Sequence, residues 1–491
     1  MRELMIVYVM LTNIYAFIGN LGGDGGPGGG DGQLLQIINK CVRISHLWRT
    51  SLFLIGLALV WIFPASVQGE DTGYDLATCV NRALEISPSI QAAEADIEIA
   101  EVQLGQARAA RFLPKFNLSW IIGPSPEARG DALTGESSWD NLSVFTRAEV
   151  SLIQPLYTFG KLSAAQNAAS AGIRARQAGL DKSRHELELE VSKAYYLLLL
   201  ANELSDLAEE SRTEIQRARK SIDEKLEEDT GEYTYTDLYR VVRFIYDVEE
   251  NANKVKKGRA LAISALRILM GLSADDPVVL AEDRLKPLEV DIHTLDTYTQ
   301  MAGSRADLRQ LNAGAGIRQA QTQAARSDLF PQIFLGGAFK FSRAPNRDDQ
   351  DNPFLKDDFN FTQLGAVVGF KQSLSFAGNS AKVKKARLES RKLAYLGSLA
   401  RKGAELEIER LYRTLREAEA NVAAAKTARR ATRRWFVSAR DGFNAGLEEA
   451  GQLIDSVKEY GIIRAKYYYA VFEFNKAWVG LRTATGQSVL Q

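Results

Sequence analysis

The chain has little cysteine and little histidine for its length. Its 491 residues include two cysteines, Cys41 and Cys79, and three histidines, His46, His185 and His293. Such a set forms neither a disulfide framework nor a metal site. No nucleophile–base, paired-carboxylate or metal-ligand spacing stands out. The sequence therefore predicts no enzyme and no bound cofactor or metal.

Net charge and long apolar runs are also missing. The 61 basic residues balance the 61 acidic ones, which gives no indication of a nucleic acid partner. Beyond residue 70 no apolar run reaches the roughly 18 residues that a transmembrane helix needs. This excludes a helical polytopic membrane protein. The strands of a β-barrel carry a much weaker signal and are compatible with the sequence.

The amino-terminal region is predicted to be processed. Residues 42–69 have the marks of a secretory signal peptide, namely a basic flank, a short apolar core and small residues at a cleavage site ahead of Glu70. Residues 1–41, with their glycine run, are interpreted as a spurious or unstructured extension. Removal of both leaves Cys79 as the single thiol, which is tolerable in an oxidising compartment if it is buried.

The most informative feature that is present is an internal repeat at an offset of about 215 residues. Its landmarks keep their order: Arg111-Phe112-Leu113-Pro114 returns as Asp328-Leu329-Phe330-Pro331, Gln154, Leu156 and Gly160 return as Gln372, Leu374 and Gly378, and Gly271 returns as Gly486. We therefore predict a first repeat over 70–271, a linker over 272–294 and a second repeat over 295–491.

Each repeat predicts the same series of elements. An opening helix of about 30 residues ends before a proline, over 76–111 and 302–328. Two strands with period-two alternation follow, joined by a polar loop over 123–141 in the first repeat and 343–358 in the second. Each repeat thus contributes two strands, and the chain contributes four.

Two very long helices are the unusual elements. Proline is absent over 161–228 and 378–444, and apolar residues of the first stretch alternate at spacings of four and three, which indicates a coiled coil. At 1.5 Å per residue, each helix reaches roughly 100 Å. Each ends near a glycine, Gly231 or Gly446, and a return helix follows, with Thr236-Asp237 predicted as the cap of the first one.

Four half-buried strands cannot close a barrel within one chain, and an open sheet in lipid leaves its edges unsatisfied. Oligomerisation solves this problem, because several chains can each contribute strands to one barrel. The long helices then extend from one end of it, and the polar strand faces line a wet lumen.

The order of elements and several local motifs resemble the TolC family of outer-membrane efflux proteins. The resemblance spans about 71–486 and rests on four motifs taken together: Ala83-Leu84 with Pro88 and Ile90; Phe112-Leu113-Pro114 with Phe330-Pro331; Gln154-Pro155-Leu156 with Gly160; and Ala445-Gly446-Leu447 with Leu453-Ile454-Asp455. It implies a mainly α fold with a small β part, in which three protomers close a 12-stranded transmembrane β-barrel and an α-barrel tunnel enters the periplasm. The implied partners are outer-membrane lipid, a periplasmic adaptor (membrane fusion protein) and an inner-membrane RND or ABC pump.

The resemblance also implies roles for individual residues. Acidic side chains ring the family's periplasmic aperture, and the matching positions here are Gln452 and Asp455, of which only Asp455 keeps a carboxylate. The family latches the closed state with a basic residue where this chain has Glu448, opposite Thr236 and Asp237. This pairing repels, so either another pair, using Arg240 or Arg243, replaces the latch, or the closed state is weaker. The adaptor-docking tips correspond to Gly231, Gly446 and Leu447.

Two alternatives follow from the same patterns. A soluble periplasmic coiled-coil adaptor shares the long helices, but it has one helical hairpin and lacks strands with a lipid-suited face. Within the channel family, the sequence fits a duct for small molecules, for metal ions or for secreted proteins.

Overall fold

The computed structural model describes residues 73–130, 135–228, 233–350, 352, 354 and 356–490. The predicted signal peptide, the extension before it and the Gly231 turn lie outside the described residues. The described helices are α1 (Leu76–Ile86), α2 (Pro88–Phe112), α3 (Lys161–Glu227), α4 (Tyr235–Leu269), α5 (Leu295–Met301), α6 (Ala306–Ser327), α7 (Phe376–Asn444) and α8 (Ala450–Ala484), with a 3-10 turn over Ala302–Ser304. The strands are β1 (Lys115–Arg129), β2 (Glu136–Tyr157), β3 (Gln332–Arg343) and β4 (Phe361–Lys371).

The mainly helical fold with two tandem repeats is confirmed. Helices α3 and α7 contain 67 and 69 residues, so each is about 100 Å long. Each runs antiparallel to a return helix of 35 residues, α4 or α8. Within the part of the chain that the structure describes, no helix combines the length and the hydrophobicity needed to cross a membrane.

The opening helix of the first repeat differs from the prediction over 76–111, because it is interrupted, whereas α6 of the second repeat covers most of the predicted range 302–328. In the first repeat α1 ends at Ile86, and Pro88 starts α2 as its first residue. A proline has no N–H to donate to the preceding turn, so it begins a helix more readily than it continues one. In the second repeat a 3-10 turn separates α5 from α6.

The predicted loop over 123–141 is wrong, since most of it is strand. β1 continues to Arg129, and β2 begins at Glu136. Pro124 and Pro126 lie two positions apart in β1, so both missing N–H groups fall on the same edge of the strand. In the described sheet β2 is the neighbour of β1, and a further contact of β1 is an isolated bridge between Ala128 and Arg347, so its outer edge tolerates both prolines.

The four strands form one antiparallel sheet in the order β1-β2-β3-β4. Its register places an apolar row on one face, Leu118, Val150, Phe339 and Leu364, and all four side chains are exposed. The row on the opposite face is polar, Ser119, Glu149, Lys340 and Gln363, with Lys340 paired to Glu149 at 3.1 Å. The period-two prediction is confirmed, and the described part of the chain leaves the apolar face uncovered.

The repeat reappears in the hydrogen bonds that join each strand pair to its opening helix. Gln154 donates its side-chain N–H to the carbonyl of Arg111 at 3.1 Å. Gln372 donates in the same way to the carbonyl of Leu329 at 3.2 Å. Gln154 and Gln372 therefore have the same role in the two repeats: each hydrogen-bonds the end of a strand pair to the end of the opening helix.

The described helices pack side by side, with different neighbours at the two ends of the long helices. Next to the sheet the helices follow one another in the order α2, α3, α6, α7, and toward the turns the order is α4, α3, α8, α7. Cys79 on α1 is fully buried in the largest core cluster, where burial raises the pKa of its thiol to about 12. The Cys79 thiol is therefore shielded from solvent.

Candidate functional site at the helical tips

The two helical hairpins share one hydrophobic core at the end far from the sheet. We call it the tip core, and it contains Ile215, Ala218, Ile222, Tyr233, Val241, Phe244, Val248, Phe443, Leu453, Ile454 and Val457. Tyr233 comes from the first hairpin, and its ring lies 5.1 Å from that of Phe443 in the second. The Tyr233 hydroxyl also donates to the carbonyl of Phe443 at 3.5 Å. The tips are thus in direct contact.

The first return helix has its cap two residues before the predicted one. Thr234 is the N-cap, and Asp237 completes a capping box by accepting the backbone N–H of Thr234 at 3.0 Å and its hydroxyl at 2.7 Å. Thr236 lies between them and is exposed. The carboxylate of Asp237 is therefore committed to its own helix terminus.

The second turn has the geometry that its glycine predicts. Gly446 has φ +72°, a left-handed conformation that favours glycine. The N–H of Leu447 closes the turn on the carbonyl of Gly442 at 2.9 Å. The Leu447 side chain is 84% exposed, which is unusual for leucine at the end of a packed hairpin. Glu448 folds back against Gly442, where any side chain would collide with it.

The predicted aperture residues lie on a different side of α8 from the residues that pack into the tip core. Leu453, Ile454 and Val457 point into the tip core. Gln452 and Asp455 lie three residues apart on the exposed side of the same turn. The structure thus brings an amide and a carboxylate together on one free helix face, about two turns from Gly446.

The predicted latch residues do not meet. Within the described residues Glu448 forms no ion pair, and Asp237 serves as a cap. Arg243 pairs with Asp247 on its own helix at 3.4 Å. Arg240 pairs with Asp237 on its own helix at 3.8 Å, and its guanidinium also lies 3.5 Å from the position that a Cβ on Gly451 would take. Of the two arginines considered, only Arg240 spans the gap.

An ion pair that the sequence did not reveal joins the two hairpins. Arg464 on α8 donates to both carboxylate oxygens of Glu210 on α3. Its side chain is only 12% exposed. Burial opposes its charge, but the hydrogen bonds to Glu210 and Tyr468 outweigh this and raise the pKa of Arg464. No spacing rule predicts this pair, because its members are 254 residues apart.

Part of this sequence matches a known protein family, and the fold resembles several solved structures. Residues 79–272 match the family described as outer membrane efflux protein. A comparison with curated proteins found no match. Among solved structures, CusC is 18% identical with a TM-score of 0.70 (84% of this chain and 92% of that one), and the outer-membrane channel OprN is 15% identical with a TM-score of 0.70 (84% and 89%).

The CmeC outer membrane channel of Campylobacter jejuni is also similar, at 17% identity and a TM-score of 0.69, over 84% of this chain and 85% of that one. At these identities the likeness shows the fold alone, which in this chain has two helical hairpins and four described strands. The adaptor alternative does not account for it. The chain is thus similar to the outer membrane efflux proteins in sequence over residues 79–272, and to outer-membrane channels in its fold.

Proposed function

We propose that this protein is the outer-membrane exit duct of a tripartite efflux or type I secretion system. The observation that carries the proposal is the open four-stranded sheet with one exposed apolar face, joined to helical hairpins about 100 Å long. A lipid-facing sheet and a long helical extension fit a duct that leads from the periplasm through the outer membrane.

Three copies would close the sheet into 12 strands. The apolar row then faces lipid, and the row with Glu149 and Lys340 faces an aqueous lumen. Closure satisfies the unpaired backbone groups at the outer edges of β1 and β4, which are costly in lipid. The same three-fold arrangement gathers six helical hairpins into a tunnel.

At the periplasmic end of this tunnel we assign the aperture to Asp455 and Gln452. Both side chains are free of the tip core. Three Asp455 carboxylates near a common axis would attract cations and repel one another. Because position 452 carries a neutral amide, the aperture has less negative charge than it would have with a carboxylate at both 452 and 455.

The closed state needs a latch other than Glu448 and Asp237. The contacts that join the hairpins are Tyr233 against Phe443, Arg464 with Glu210, and Arg240 beside Gly451. We assign the latch to this set. Its separation would move the second hairpin away from the first and widen the aperture.

The turns are the proposed docking points for a periplasmic adaptor, which in turn would engage an inner-membrane RND or ABC pump. Leu447 offers an exposed apolar side chain on a rigid glycine turn. Gly446 keeps the backbone of the turn compact, and the Gly231 turn would be its counterpart in the first repeat.

The experiment combines fractionation with conductance. We expect the protein to sediment with outer membranes and to form ion-conducting channels in planar lipid bilayers, with a preference for cations. Asp455→Asn should reduce this preference, whereas Glu289→Gln, an exposed carboxylate in the linker, should not. Absence of both outer-membrane sedimentation and conductance would refute the duct. A duct whose cation preference survives Asp455→Asn would refute only the aperture assignment.

A further inference from the structure

A groove lies between the two long helices, α3 and α7, at mid-height. Near the sheet α6 fills the space between these helices, and toward the turns α8 fills it instead. The groove lies where one replaces the other, because its lining includes Ala306 at the start of α6 and Ala484 at the end of α8. Its volume of about 610 Å³ is within the usual range of small-molecule sites.

The floor of the groove consists of small side chains. Ala477, Gly480 and Thr483 of α8 line it at intervals of three residues, which places them on one side of the helix. A Cβ added to Gly480 would have Leu411 of α7 as its neighbour, at an ordinary contact distance of 3.7 Å. The walls come from α3 and α7, whose lining residues are mostly long and charged. The space between the walls is therefore open to a ligand.

The carboxylates that line the groove are already paired within the protomer. Each of the four has a cation of the same lining as its partner: Asp307 and Glu407 with Arg305 at 2.9 and 2.8 Å, Glu473 with Lys476 at 2.6 Å, and Glu186 with Lys182 at 3.6 Å. Arg305 is nearly buried, with a side chain that is 14% exposed. Among the described lining residues, no carboxylate is left for another cation.

Two cations of the lining are left without a partner among the described residues. Lys193 on α3 and Arg410 on α7 are exposed, and neither side chain forms an ion pair or a hydrogen bond with any residue that the structure describes. They come from different walls, so a ligand between α3 and α7 can contact both. His185, about two turns before Lys193, adds an imidazole to the same wall. The groove therefore has an excess of positive charge.

The groove opens on the side of α8 that faces away from the linker. Asn475 of α8 holds the linker, since its side chain donates to the carbonyl of Lys286 at 2.9 Å and accepts the N–H of Leu288 at 3.0 Å. At 100° per residue, Asn475 points roughly 140° away from Gly480 on the groove floor. In the proposed duct a linker on the inner side would obstruct the passage. The groove is therefore placed on the lumen side.

We propose that this groove binds a small organic anion with two or more carboxylates. Arg410 offers a planar guanidinium that matches the geometry of one carboxylate, and Lys193 offers an ammonium to a second one. Because the two cations stand on different walls, a ligand with two carboxylates gains more from the groove than a ligand with one. The position in the lumen rests on the proposed duct, whereas the anion site does not.

Titration calorimetry with citrate tests the anion site in the protein purified from membranes in detergent. We expect wild type to bind citrate at least about tenfold more tightly than acetate, because acetate has a single carboxylate. Lys193→Gln with Arg410→Gln should weaken citrate binding at least about tenfold. Lys193→Arg keeps the charge and should retain binding. Lys256→Gln with Lys286→Gln is the matched control, because it removes two exposed cations from α4 and the linker.

The reversal potential in planar lipid bilayers tests whether the groove faces the lumen. In a gradient of potassium chloride, citrate should shift the reversal potential of wild type toward stronger cation preference, because bound citrate adds negative charge to the lumen. Lys193→Gln with Arg410→Gln should produce a shift in the same direction without citrate and should respond no further to citrate. Acetate should have no effect on either protein.

The outcomes separate the anion site from the duct. Absence of citrate binding by wild type, or equal weakening by the groove variant and the matched control, would overturn the anion site. Citrate binding that needs both Lys193 and Arg410, with a reversal potential that neither citrate nor the groove variant changes, would overturn only the position in the lumen. Citrate binding by a protein that forms no channels would overturn the duct and leave the anion site in place.

Discussion

Replacing Tyr233 tests whether the tip core holds the two hairpins together. The side chain is only 8% exposed, and its ring packs against that of Phe443 in the other hairpin, with the ring planes tilted by 41°. Removing a buried aromatic ring costs about 3 kcal/mol at the lower end of the usual range. If this contact holds the tips in their closed arrangement, Tyr233→Ala shifts the closed-to-open equilibrium by roughly 100-fold.

A milder substitution gives the graded control. Tyr233→Phe keeps the ring and removes only the hydroxyl, whose bond to the carbonyl of Phe443 is long at 3.5 Å. Such a bond contributes about 0.5 kcal/mol, which corresponds to roughly a twofold shift. Tyr235→Ala is the matched control, because Tyr235 lies two residues away and is 65% exposed.

The assay is single-channel conductance in planar lipid bilayers. We expect frequent high-conductance openings for Tyr233→Ala, a small increase for Tyr233→Phe and none for Tyr235→Ala. Unfolding of the sheet is not expected, because the tip lies about 100 Å from it along α7. Equal conductance of Tyr233→Ala and wild type, in a protein whose trimer is intact, would refute the reasoning.

Two further predictions concern the turn and the response to acid. Gly446→Ala should destabilise the tip by about 1 kcal/mol, because the φ of Gly446 is +72°, and amide hydrogen exchange at the tip should become faster. Gly258→Ala, in the middle of a helix, should make hydrogen exchange slower. Equal effects of the two substitutions would contradict the argument from backbone strain. Arg305 holds Asp307 by two hydrogen bonds of 3.0 and 2.9 Å and lowers the pKa of that carboxyl. The resulting stabilisation is present above the unfolded pKa of about 3.9 and is lost as the pH falls through the lower folded pKa. Asp307→Asn should therefore flatten the acid limb of thermal melting temperature against pH, and an unchanged limb would contradict the assignment.

The sequence by itself determined the elements and their duplication. The proline-free stretches predicted α3 and α7, and four-three spacing supported α3, since a long helix needs only continuous local hydrogen bonding and one apolar stripe. Period-two alternation predicted the strands, because successive side chains of a strand point to opposite faces. Local signals were weaker at boundaries: Pro124 and Pro126 indicated a loop, but an edge strand tolerates prolines whose N–H would point outward.

Motif matching also placed the candidate site at the tips, through Gly446 and the exposed pair Gln452 and Asp455. Matching gives a position in the chain, but it gives no partners. Thr236-Asp237 was predicted as the cap, whereas Thr234 takes that place and Asp237 completes the capping box. The difference of two residues matters, because it commits Asp237 to its helix terminus and leaves Glu448 without the opposite residue that the family pattern implies.

Only the tertiary structure decided which distant residues meet. Tyr233 and Phe443 are 210 residues apart, and Glu210 and Arg464 are 254 apart, so no local periodicity relates them. Their contact depends on how α3 and α8 are placed against each other by the tip core. The groove between α3 and α7 is likewise a property of packing, because its walls and floor come from separate parts of the chain. The sequence thus determined the parts through local hydrogen bonding and alternation, and packing determined the contacts between them.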